Sequence, residues 1–133
     1  MEISYEEFKS TDLYQQFILD NPDVGDLKVQ SFTAFCAIPI SDVKIVVSKD
    51  IGNYKVIFYE GYTYSSGIIT DIMLPAPDAI TNALEVPGYT IYNMSASSNK
   101  YSSLKNYTIG MFGNIRVLQY VKMTPEVGDF NAN

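Results

Sequence analysis

The chain has 133 residues, of which 47% are hydrophobic, 18% charged and 14% aromatic. That length reads as one domain able to bury a core without crosslinks, and the composition excludes disorder. Nine basic against fifteen acidic residues leave a net charge of −6, and a single arginine, Arg116, among scattered lysines does not make the clustered basic surface that duplex nucleic acid requires.

The N-terminus, MEISYEEFK, is acidic and lacks an apolar core, so no signal peptide is visible. Tyr5 to Leu19 predicts one short helix, with Phe8, Leu13 and Phe17 on a rough apolar face. Ser4 and Glu7 fit a capping box, and Asn21-Pro22 ends the helix because the residue before proline leaves the α region. Such a helix either packs on its own domain or docks to a partner. Asp20, Asn21, Asp23 and Asp26 are close in sequence, but their spacing matches no calcium loop and Pro22 stiffens the segment.

After Gly25 the period changes to two. A first strand follows Leu27, Val29 and Ser31, and Pro39 breaks the run from Phe35 to Ile40. Val43–Lys49 and Tyr54–Tyr59 predict a hairpin around Asp50-Ile51-Gly52-Asn53. Glu60 to Pro77 then reads as a strand end at Gly61-Tyr62-Thr63, a polar turn closing at Ser66-Gly67, a fourth strand Ile68–Leu74, and a stop at Pro75-Ala76-Pro77. Asp78–Gly88 reads as a loop and Tyr89–Ala96 as a fifth strand. Ser97–Lys105 reads as a long turn, Tyr107–Phe112 and Ile115–Met123 as the last two strands, and the tail as frayed. Seven evenly spaced strands after one helix predict a two-sheet antiparallel sandwich. The boundaries are 1–24 for the helix and exit loop, 25–125 for the sandwich and 126–133 for a flexible tail. No apolar run reaches the roughly 18 residues of a membrane span, so no membrane insertion is expected.

The residue inventory removes most catalytic arrangements. Without histidine there is neither a Ser-His-Asp triad nor a Cys-His dyad, and no glycine-rich phosphate loop is present. The lone Cys36 lies in the apolar run TAFCAIPI and reads as a buried, inert thiol. No cofactor or metal is expected. Lys28, Asn114 and Glu60 are of the types that build a self-made isopeptide bond, although nothing in their spacing requires one. Eleven tyrosines remain. Tyr62, Tyr64, Tyr89, Tyr92, Tyr101 and Tyr107 fall near strand ends or turns, where an apolar body with a polar tip suits recognition of proteins or sugars, although most such residues simply cover a sandwich. Tyr62 and Tyr64 are the candidates for contact with a partner.

Five segments occur in a family-like order: Ala37-Ile38-Pro39-Ile40 leading to Val43 and Ile45; Gly61-Tyr62-Thr63 leading to Gly67; Leu74-Pro75; Gly88-Tyr89-Thr90-Ile91 leading to Met94 and Ala96; and Val117-Leu118-Gln119-Tyr120-Val121 leading to Pro125. Over about Leu27 to Pro125 this order resembles the carboxypeptidase-regulatory-like, transthyretin-like β-sandwich. Leu74-Pro75-Ala76-Pro77 is similar to small clostridial-type domains on spore and envelope proteins. Where many members carry Asp ahead of the glycine, this chain has Tyr64 or Ser65. The resemblance implies a seven-stranded Greek-key sandwich. It also implies a non-enzymatic structural or protein-interaction role in an envelope, spore or other extracellular assembly. A carbohydrate-binding module, or a phage or particle subunit docking through its helix, are the alternatives.

Overall fold

The computed structural model describes residues 1–33, 38–78 and 88–124. Cys36, the interior of the Asp78–Gly88 segment and the tail from Pro125 lie outside the described residues. In chain order the elements are β1 (Glu2–Ser4), α1 (Tyr5–Phe8), α2 (Tyr14–Asp20), β2 (Asp23–Thr33), β3 (Lys44–Ile51), β4 (Tyr54–Tyr62), β5 (Ile68–Ala76), β6 (Thr90–Ser98), β7 (Tyr101–Met111) and β8 (Arg116–Met123). They form a five-stranded sheet, β1-β4-β3-β6-β7, and a three-stranded sheet, β5-β2-β8. Period-two alternation turns one face of each strand inward. Leu27 and Val29 of β2, Ile45 and Val47 of β3, Leu74 of β5, Tyr92 and Met94 of β6, Met111 of β7 and Val121 of β8 close a single core between the sheets. The arrangement is mainly β and sandwich-like.

Several expectations are corrected. Eight strands are present among the described residues, not seven. The extra one, β1, is three residues long and shorter than any periodic signal. The sheets are mixed rather than antiparallel: β1 runs parallel to β4, and β2 runs parallel to β8 from Asp26↔Arg116 to Thr33↔Met123. Alternation reports which face a residue takes, not which strand lies beside it. Pro75 does not stop β5, which runs on to Ala76. Because β5 is an edge strand, the missing N–H leaves no ladder bond unmade. Ser97–Lys105 is a tight hairpin rather than a long turn. β6 and β7 are separated only by Asn99 and Lys100, and the Lys100 N–H donates to Ser98 Oγ at 3.1 Å.

The single predicted helix is two. Ser4 and Glu7 form the expected capping box, with the Glu7 N–H donating to Ser4 Oγ at 3.1 Å and the Ser4 N–H to Glu7 Oε1 at 3.2 Å. The helix then breaks, because the Thr11 hydroxyl and N–H both turn back to the Phe8 carbonyl, at 2.8 and 2.9 Å. α2 ends before Asn21-Pro22 as expected.

Both helices pack on their own domain. A three-stranded sheet covers only part of a five-stranded one, and at the β4 side Phe8 and Phe17 bury Val56. Phe58 joins this aromatic cluster to the main core. Its ring centroid lies 4.5 Å from Tyr5 and 5.1 Å from Tyr92.

Burial here has a pH consequence. Desolvation, aided by Tyr14 and Glu6, pushes the Tyr5 phenol up to about 12. Burial also raises Tyr59, Tyr92 and Tyr107. A phenol that holds its proton longer in the folded state contributes stability that is complete below the ordinary value of about 10 and is lost as pH rises past it. Lys49, lowered mainly by burial, acts in the opposite sense but is one group against four. The urea midpoint is therefore expected to hold to about pH 9 and to fall steadily from about pH 10 upward. An unchanged midpoint at about pH 11 would contradict this.

Candidate functional site

The β3–β4 and β3–β6 registers place Tyr62, Lys44 and Ser97 side by side on three neighbouring strands. Ile45 and Ala96, next to them in sequence, face the core, so this row lies on the outer face. Lys44 Nζ meets Glu60 Oε2 at 3.4 Å on the same face. The row ends in the β6–β7 turn. With Asp42, Ser98, Asn99 and Lys100 it lines a cleft of about 380 Å³ with an adjoining pocket of about 140 Å³. Tyr62 is 56% exposed at its wall.

Buried hydroxyls hold this end of the molecule. Thr63 Oγ1 accepts the Val43 N–H at 3.0 Å and donates to the Ile40 carbonyl at 2.8 Å, and the Asp42 N–H donates to the Thr63 carbonyl at 2.9 Å. Ser31 Oγ donates to the carbonyls of Ile40 at 2.7 Å and Gly67 at 3.2 Å. The loop before β3 and the turn before β5 are thus tied to one buried point on β2. Within that loop Asp42 takes a left-handed conformation, with φ of 61°. This is uncommon outside glycine, though aspartate tolerates it better than most residues.

Of the two candidate tyrosines, Tyr62 lines the cleft. Tyr64, 71% exposed in the β4–β5 turn, does not. Tyr92 is fully buried and its hydroxyl donates to the Pro75 carbonyl at 2.6 Å, linking the two sheets. Tyr101 and Tyr107 pack against the core, and Tyr89 lies against Phe112 with centroids 5.7 Å apart. Sequence reasoning missed Asp42, Lys44, Asn99 and Lys100, because a site assembled by register across three strands leaves no local motif. The one available signal was Ser98-Asn99-Lys100, a turn tripeptide.

The other constellations do not converge. Asp20 is held by Gln16 at 2.9 Å, Asn21 caps the Phe17 carbonyl at 2.9 Å and is bonded by Thr90, and Asp26 binds Arg116 at 2.8 Å. Lys28 and Glu60 lie in different sheets. Two larger grooves, of about 550 and 430 Å³, follow the seam between α2 and the β3–β4 hairpin. The lysine in the second is already committed, with Lys49 Nζ donating to the Ile91 carbonyl at 2.9 Å. Among the described residues no group of three or more Cys, Asp or Glu could hold a metal, and no helix is long and apolar enough to cross a membrane.

No family model matches the chain, and no curated protein matches it in sequence. Solved structures do share its fold. The Bacillus anthracis TIE protein is 16% identical with a TM-score of 0.54, over 77% of this chain and 17% of that one. A 3-chlorocatechol 1,2-dioxygenase from Rhodococcus opacus 1CP is 10% identical with a TM-score of 0.51, over 78% of this chain and 61% of that one. A catechol 1,2-dioxygenase from Acinetobacter radioresistens is 8% identical with a TM-score of 0.50, over 95% of this chain and 57% of that one. In each case this chain spans less than two thirds of the other protein, and the likeness is one of fold.

Proposed function

We propose that this chain is a non-enzymatic protein-interaction module, a transthyretin-like sandwich that serves in a bacterial envelope, spore or other extracellular assembly. The observation that carries the reading is the outer edge of β7, which among the described residues pairs with no strand beyond β6. Sheet edges invite pairing with other chains, and folded proteins normally blunt them. Here β1 is only three residues long. β5 is kinked at Asp71, where φ is 63°, and contains Pro75. β8 is eight residues long and carries two exposed charges, Arg116 and Lys122. β7 is eleven residues long, ends the five-stranded sheet and carries one charge, Lys105. Its Leu104 is 62% exposed.

The absence of histidine supports a role without catalysis. The described parts of the five motif segments precede β3, occupy the β4–β5 turn and fall in β5, β6 and β8, an order that supports this reading. Docking through the N-terminal helix, as a particle subunit would require, has less to draw on. Phe8 and Phe17 are turned inward, which leaves Leu19, 72% exposed, as the main apolar residue outside.

Light scattering over a rising concentration series tests the reading. Association is expected to grow with concentration, and Leu104→Lys, an exposed change that leaves the core intact, is expected to weaken it several-fold. A clean monomer throughout would remove the β7 edge from consideration and leave the carbohydrate-binding alternative in front.

A further inference from the structure

We propose that the cleft beside Tyr62 binds a neutral saccharide unit. Its lining combines what a sugar ring requires and what few other ligands use together. The exposed Tyr62 ring offers a negative π face for the C–H face of a pyranose. Around it stand groups with unused hydrogen-bonding capacity. No described residue engages the side chains of Asp42, Asn99 or Lys100, and all three line the same cleft. A carboxylate and an amide are suited to adjacent hydroxyls, since one accepts and the other both donates and accepts. The charges at the site cancel: Lys44 is met by Glu60, and Lys100 is balanced by Asp42. A neutral ligand is therefore favoured over a polyanion or polycation. A cavity of about 380 Å³ suits one or two sugar rings. The loop that presents Asp42 is fixed beforehand by Thr63 and Ser31, and the turn that presents Asn99 and Lys100 is closed by the Lys100 N–H donating to Ser98 Oγ, so less ordering is left for the ligand to impose.

This site is separate from the β7 edge and does not depend on it. The test uses the intact chain and a panel of free cellotriose, maltotriose, chitotriose and galactobiose, with trigalacturonate as the charged arm. NMR shift mapping on the wild-type protein is expected to show at least one neutral member perturbing Lys44, Ser97 and Asn99. Titration calorimetry is expected to show that Tyr62→Ala weakens that member about tenfold or more. Tyr64→Ala and Leu104→Lys should leave it unchanged. The proposal is overturned if no neutral saccharide binds, if only trigalacturonate binds, if the perturbed residues lie elsewhere, or if affinity survives Tyr62→Ala.

Discussion

Replacing Phe8 by alanine is expected to destabilise the protein by about 3–5 kcal/mol. The side chain is fully buried, with the Phe17 ring 5.7 Å and the Tyr14 ring 6.2 Å from it, both edge-on. Truncation leaves a void that two short helices cannot close without abandoning Val56. The effect is expected to reach β1 next, because its parallel pairing with Lys55, Val56 and Ile57 rests on the same patch. Urea denaturation measures the loss. Hydrogen exchange at the Lys55 amide, which donates to the Met1 carbonyl at 2.8 Å, reports whether β1 has come away. Leu19→Ala, on the exposed side of α2, is the control and should shift stability by no more than about 0.5 kcal/mol. A small cost for Phe8→Ala would show that the N-terminal segment is an accessory rather than part of the folded unit.

Gly67→Ala is expected to cost about 2–4 kcal/mol and to lower the thermal midpoint by roughly 10 °C. Two effects add. The residue has φ of +75°, a region where a side chain is strained. A Cβ there would also press into the Ser31 carbonyl oxygen and come within 3.2 Å of the Ile40 nitrogen. That carbonyl accepts the Ile40 N–H at 3.2 Å, and the Gly67 carbonyl accepts the Ser31 N–H at 2.7 Å, so the methyl group strikes the point where three segments are tied. The loop carrying Asp42 should loosen with it. Differential scanning calorimetry reads the midpoint. An unchanged value would mean that the Ser31 node does not hold this end of the sandwich.

Much of the fold was legible because solvent and core alternate along it. The β3–β4 hairpin, the inward faces of β2 and β6, the Ser4–Glu7 cap and the glycine turn at Gly67 all follow from local chemistry. What escaped was non-local or opposed by a local signal. Seven residues from Ser97 to Ser103 are mostly polar, yet they include the end of one strand and the start of the next, since ladder pairing runs through the backbone and does not require apolar side chains. Pro75 looked like a stop because its tolerance depends on β5 being an edge, a property of the sheet and not of the sequence window. The candidate site shows the same divide. Tyr62 was visible as an aromatic at a strand end. Its neighbours Asp42, Lys44 and Asn99 join it only through a register that no single segment encodes.

The parallel pairing of β2 with β8 also bears on how the molecule carries load. Tension applied at Asp23 and Met123 pulls from opposite ends of two adjacent strands that run in the same direction. The hydrogen bonds between them then lie across the pull and are sheared together, so the pair resists as a unit and does not unzip bond by bond. The N-terminal segment precedes Asp23 and lies outside this load path. A sandwich wired in this way resists extension along β2 and β8 better than one whose terminal strands unzip.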